Sequence, residues 1–152
     1  MTTYDHTQKG RLHLILAPVV VAMVVLGIWL RHAPLAGSAS VLDWAAAALV
    51  AVLLLCFRAL TIRDEGDCLV LRYGFIPLFF RRIPFAAMTS VEPGRTSLID
   101  GWGIHYIPGR GWTYNLWGFD CVVVHLGVKT VRIGTDDPAG LLAFLRTRLP
   151  AA

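Results

Sequence analysis

Five histidines, three cysteines and a run of closely spaced glycines are the residues of this chain whose types could carry chemistry. Their spacing decides against most of it. His6, His13, His32, His105 and His125 form no HxH or HExxH pair, and none stands at metal-ligand spacing from a cysteine. Cys121 and His125 would face the same way along one extended segment, but roughly 13 Å apart at about 3.3 Å per residue, too far to share an ion. A metal site would need Cys68 or His105 brought in from other strands. Cys56, Cys68 and Cys121 contain no CxxC, and an odd, small count fits a reducing compartment rather than a disulfide framework. No GxSxG occurs, and no Ser or Cys stands beside a base. Gly101, Gly103, Gly109, Gly111 and Gly118 are dense enough for a phosphate loop, yet they lack a GK[ST] ending and open no helix, so hairpin turns account for them. Asp136 and Asp137 could be a paired acid site, but helix capping explains both. The chain reads as non-enzymatic, with no catalytic, metal or cofactor-binding residues assigned.

Two other groups of residues invite a binding role. Trp102, Tyr106, Trp112, Tyr114, Trp117 and Phe119 fall within 18 residues. On an extended strand Trp112, Tyr114 and Leu116 share one face and Trp117 belongs to the other. Either one face is simply core, or Trp102, Trp112, Tyr114 and Trp117 exceed what a core can take and present a partner-binding surface. The second group is a turn, usually polar, that here holds Phe75 and Ile76, with Leu78, Phe79 and Phe80 behind and Arg81 and Arg82 next. An apolar tip beside cations is what a loop resting on anionic lipid needs, each cation adding about 1 kcal/mol. The plainer alternative folds Phe75 and Ile76 back over one end of the core.

The elements that must position these residues divide the chain unevenly. Apolar residues make up 56% and charged residues 16%, against roughly 45–50% and about 25% in ordinary domains. The excess lies before residue 61, whereas residues 61–152 carry ten Lys/Arg and eight Asp/Glu. The sequence predicts an N-terminal tail and a two-helix transmembrane hairpin over 1–60, with spans about 12–30 and 41–60, then a β domain over 61–152. Lys9 and Arg11 before the first span, and Arg58 and Arg63 after the second, outweigh Arg31 between them. That places both termini in the cytoplasm and the chain in a bacterial inner membrane as a multi-pass protein, with Trp29 and Trp44 at one outer interface. Rival readings are a helical hairpin buried in a larger core, or a signal peptide cleaved near Gly37-Ser38-Ala39. The net charge of +4 comes from scattered cations rather than a basic block, which argues against nucleic acid.

After Leu60 short alternating stretches replace the continuous apolar ones: Ala59–Asp64, Cys68–Tyr73, 78–83, 89–95, 102–107, 112–117, Asp120–Leu126 and 130–134. Thr135-Asp136-Asp137-Pro138 then starts a helix, with Leu141, Leu142, Leu145 and Leu149 as its apolar stripe. Two spans, such strands and a last helix resemble the bacterial membrane-anchored proteins with a pleckstrin-homology-like domain. Gly101-Trp102-Gly103-Ile104, Gly111-Trp112-Thr113-Tyr114-Asn115, Arg132-Ile133-Gly134-Thr135-Asp136-Asp137-Pro138 and Arg82-Ile83-Pro84-Phe85 carry the likeness. It implies about seven strands in two bent antiparallel sheets, capped by the C-terminal helix, and a binding or assembly role. One departure is the loop Asp64-Glu65-Gly66-Asp67, acidic where phosphoinositide-binding members are basic, which argues against phosphoinositide binding. The function expected is a non-catalytic integral membrane protein whose cytoplasmic domain meets a membrane or cytoplasmic protein partner, with the lipid bilayer as a second contact. The alternative is an accessory subunit of a membrane enzyme or transporter, with Asp43 and His13 as its only polar candidates near the membrane.

Overall fold

The computed structural model describes residues 3–11, 13–30, 37–76, 78–97 and 102–149. Arg31, His32, Pro77 and Gly101 lie outside them, as do the side chains of His13 and Asp43. The elements run β1 (Asp5–Lys9), α1 (His13–Leu30), α2 (Gly37–Cys56), β2 (Ala59–Asp64), β3 (Cys68–Tyr73), β4 (Phe80–Pro84), β5 (Ser90–Arg95), β6 (Gly103–Ile107), β7 (Gly111–Asn115), β8 (Asp120–Leu126), β9 (Lys129–Gly134) and α3 (Pro138–Arg148). One sheet has the order β1-β2-β3-β4 and the other β5-β8-β9-β7-β6.

The two sheets and the C-terminal helix accord with the mainly-β reading, but the pairing differs from two antiparallel sheets. β7 and β9 run parallel, Trp112 opposite Val131 and Tyr114 opposite Ile133. A ninth strand also appears. Asp5–Lys9 pairs antiparallel with β2, from Asp5 opposite Arg63 to Lys9 opposite Ala59. Its inward residue, Gln8, is buried and donates from Nε2 to the Trp117 carbonyl at 2.8 Å, joining the two sheets.

The transmembrane hairpin is corrected by the structure. Among the described residues no helix is long and apolar enough to cross a membrane. The 18 residues of α1 rise about 27 Å at 1.5 Å each, short of the roughly 30 Å hydrocarbon core. α2 has 20 residues, but its first turn is Gly37-Ser38-Ala39-Ser40 and Asp43 follows. The uninterrupted apolar part is 44–56, about the 10–14 residues typical of buried or interfacial segments. The chain then leaves the helix, so 57–60 belong to a turn and β2 rather than to a span. The multi-pass inner-membrane localisation falls with the spans. α1 and α2 instead pack against each other, burying Gly27 and Ala47 and leaving many large apolar side chains exposed.

α3 closes the core. Asp137 caps it by accepting from the Gly140 amide at 3.0 Å, Pro138 opens the first turn, and Leu141, Phe144 and Leu145 are buried. Two ties hold it. Tyr4 stacks on Phe144 at 5.4 Å and donates to Asp137 Oδ2 at 3.2 Å; burial and the Asp137 charge push its hydroxyl pKa well up. Arg148 pairs with Asp64, whose side chain is 1% exposed, and lies over the rings of Phe85 and Phe144 at 5.4 and 5.5 Å. Removing the guanidinium would leave a buried carboxylate without its cation. Arg148→Met should therefore lower stability to chemical denaturation by about 3 kcal/mol. Arg146→Met, on the exposed face of the same turn, should stay within about 0.5 kcal/mol of the parent. Equal effects would mean that the ion pair contributes nothing.

Candidate functional site

Several of the candidate residues line a groove of about 460 Å³. Its walls are Arg81 of β4, Tyr106 of β6, the turn through Arg110 into Trp112 of β7, and the β8–β9 turn with Val128 and Lys129. Tyr106 and Trp112 stand opposite each other in the β6–β7 register, their rings 5.4 Å apart and both exposed. Val128 is fully exposed at the facing turn. Among the described residues no acidic side chain lines the groove, and neither Arg81 nor Lys129 meets a carboxylate. Arg110 holds the turn in place, its carbonyl accepting from Arg132 Nη1.

The groove floor depends on Gly111. Its φ is +84°, and a Cβ there would overlap the carbonyl oxygen of Thr130 where β9 begins. Only glycine lets β7 approach β9 this closely.

The four aromatics picked from sequence are not one surface. Trp112 is in the groove and exposed, whereas Tyr114, two residues on, is buried. Its hydroxyl pKa is raised by burial, with the Arg81 charge partly opposing the rise. Trp102 and Trp117 stack on each other 4.3 Å apart. Trp102 faces a separate hollow with Leu16, Leu53 and Phe57, beside the helical pair.

The turn residues divide as well. Phe75 and Ile76 are exposed, Phe75 at 82%, and do not fold back over the core. Arg82 turns away to Glu65 at 2.5 Å, a carboxylate it shares with Arg72 at 2.5 Å. Arg81 joins the aromatic groove instead. The acidic loop at 64–67 is thus largely neutralised by its own neighbours, Asp64 by Arg148 and Glu65 by two arginines. Sequence reasoning placed Tyr106 in the aromatic cluster but not among the four binding candidates, and it missed Val128 and Lys129 as partners of Trp112. The legible signal was Val128, an apolar residue at a hairpin tip, the same anomaly that drew attention to Phe75.

Among the described residues that line this groove there is no histidine, cysteine or carboxylate. Burial pushes the Cys68 thiol up, with the Asp67 side chain adding to it, and a raised thiol is a poor nucleophile. No cluster of His, Cys, Asp and Glu among the described residues could hold a metal ion. The arrangement suits binding: an aromatic pair for an apolar or aromatic side chain, and cations on both banks for an anionic group.

No family model matches the chain, and neither a curated protein nor a solved structure is significantly similar to it. The resemblance to membrane-anchored pleckstrin-homology-like proteins is therefore not upheld. The helices lack the expected spans, the second sheet contains a parallel pair, and no family match supports the short motifs that carried the likeness.

Because Gly109 also has positive φ, +77°, but meets nothing within 4 Å, the two turn glycines separate strain from overlap. Gly109→Ala should cost about 1–2 kcal/mol from backbone strain alone. Gly111→Ala should cost about 3 kcal/mol or more, adding overpacking against β9. Similar midpoints for the two variants in denaturant would show that the groove floor is not built by this approach.

Proposed function

We propose that the chain is a non-catalytic interaction module whose groove takes an extended segment of a partner protein, one that sets a carboxylate beside an apolar or aromatic side chain. The observation that carries this reading is the pairing of Arg81 and Lys129, which meet no carboxylate among the described residues, with the exposed Tyr106–Trp112 pair. Trp, Tyr and Arg are the side chains that dominate binding energy at protein interfaces. β4 and β6 each stand at one edge of their sheets, so backbone groups at the rim can pair with an added strand. A single-stranded nucleic acid would also seek cations and rings. It is disfavoured because the two rings are tilted at 57° to one another and the cations form no continuous track.

A second reading, contact with a lipid surface, is favoured by a different observation. Phe75, Ile76, Leu78 and Phe80 are all exposed, as are large apolar side chains of α1 and α2. Exposed apolar area on that scale marks an interaction surface.

Selection of a randomised peptide library on the full chain tests the first reading. The selected peptides should pair Asp or Glu with an aromatic or aliphatic residue. Trp112→Ala should weaken them about 30-fold, as for a central interface aromatic. Arg81→Glu with Lys129→Glu should reverse the charge preference. Selection without acidic enrichment, binding indifferent to Trp112, or tighter binding of oligonucleotides at the same residues would overturn it.

A further inference from the structure

Where the helical pair leaves the β domain there is a second hollow, of about 480 Å³, lined by Thr7, Lys9, Arg58, Thr61, Gly74 and Phe75 among others. Backbone geometry builds it. The β1–β2 ladder ends with Lys9 opposite Ala59, and the Gly10 amide donates to the Arg58 carbonyl at 2.9 Å. Lys9 and Arg58 are thereby fixed at one mouth, although α1 and α2 separate them in sequence. The Thr7 and Thr61 hydroxyls hydrogen-bond to each other at 2.9 Å on the ladder face below. On the other side Gly74, at φ +65°, packs so closely on the last turn of α2 that a Cβ would overlap the Leu55 and Cys56 carbonyl oxygens. This contact roots the Phe75 turn at the base of the helices and leaves the Phe75 ring outward.

Unmatched charge marks this hollow, as it marks the aromatic groove. In the same sheet Arg63 pairs with Asp5 at 2.6 Å and Arg72 and Arg82 with Glu65, while Arg148 of α3 pairs with Asp64; among the described arginines of the sheet's strands Arg81, at the aromatic groove, is the exception. Among the described residues Lys9 and Arg58 meet no carboxylate, and neither does the neighbouring Arg11; all three are exposed. The start of α1 and the end of α2 meet here, so their opposed dipoles largely cancel and the side-chain cations set the field. Cations at one level with exposed apolar side chains directly beside them match an anionic amphiphile, phosphate against charge and acyl chain against ring.

We infer that this hollow receives the anionic phosphate headgroup of a lipid, with Lys9 and Arg58 on the phosphate and Phe75 and Ile76 at the acyl boundary. The inference rests on the lipid-contact reading and makes it specific. The cations that accompany the Phe75 turn are not its sequence neighbours Arg81 and Arg82, which the fold directs elsewhere, but residues from either end of the helical pair.

Flotation of the full chain with vesicles of phosphatidylcholine, alone or mixed with phosphatidylglycerol, tests it. Three proteins are compared: the parent, Lys9→Gln with Arg58→Gln, and Phe75→Ser with Ile76→Ser. All altered side chains are exposed, and unchanged thermal midpoints confirm folding. The parent should prefer the anionic vesicles. The charge variant should lose about 30-fold in affinity for them with its affinity for phosphatidylcholine unchanged, and the turn variant should weaken on both. Inorganic phosphate should not displace the parent. A charge variant that keeps the anionic preference overturns the headgroup site; if the turn variant still weakens, lipid contact itself stands. Displacement by inorganic phosphate would make this a free-anion site and overturn the lipid assignment. A parent that floats with neither vesicle removes both readings.

Discussion

The antiparallel ladder between Asp5–Lys9 and Ala59–Asp64 fastens the chain's start to the segment that follows the helical pair, and the remaining geometry hangs from it. Closing so long a loop costs chain entropy that grows slowly with length. The cost is offset by contacts made on both sides of β1. Gln8 reaches the Trp117 carbonyl, Tyr4 packs on Phe144, and His6 meets Asp136 at 2.6 Å. Tyr4 and the short polar strand after it therefore tie β2, the β7–β8 connection and α3 together, and the two helices emerge from the strand's end as a pair with fixed roots. Without the ladder, Lys9 and Arg58 would not share a mouth and Phe75 would have no helix base to flank.

Electrostatics then sorts the surface. Three arginines and two carboxylates neutralise one another around the β2–β3 turn, so the acidic loop offers little field to a partner. Cations without carboxylates among the described residues stand at two other places, beside Tyr106 and Trp112 and beside Phe75. In both, the neighbours are exposed apolar rings. The proposed functions follow from that coincidence, one ring pair facing a peptide segment and one ring facing lipid.

Much of the β domain could be read from sequence because its strands alternate cleanly and its turns carry glycine. Ala59–Asp64, Cys68–Tyr73 and Asp120–Leu126 have the bounds the pattern gives. β1 could not, since Asp5-His6-Thr7-Gln8-Lys9 has no apolar alternation and its one buried residue is polar. Sheet order was hidden too, because the parallel β7–β9 pair is a long-range choice that no local pattern encodes. Continuous apolar composition was read as membrane spans, yet length and the polar opening of α2 bring its apolar run down to 44–56. The site was half legible. Trp112 was found, but Tyr114 on the same strand face is buried, because position along the strand decides where the core ends. Arg81 and Arg82 could not both flank one turn, since consecutive strand residues point to opposite faces.

Amide hydrogen exchange resolved by residue measures the ladder directly. If β1 roots the helical pair, the β1 amides bonded to β2 should exchange with the same free energy as those of β3 and β8, in one cooperative opening. Gln8→Ala, which removes the tie to Trp117, should lower all of them together. Exchange of β1 amides orders of magnitude faster than β3, with β8 still protected, would contradict the account: the strand would be an attached tail, and the root that positions Lys9 against Arg58 would not exist.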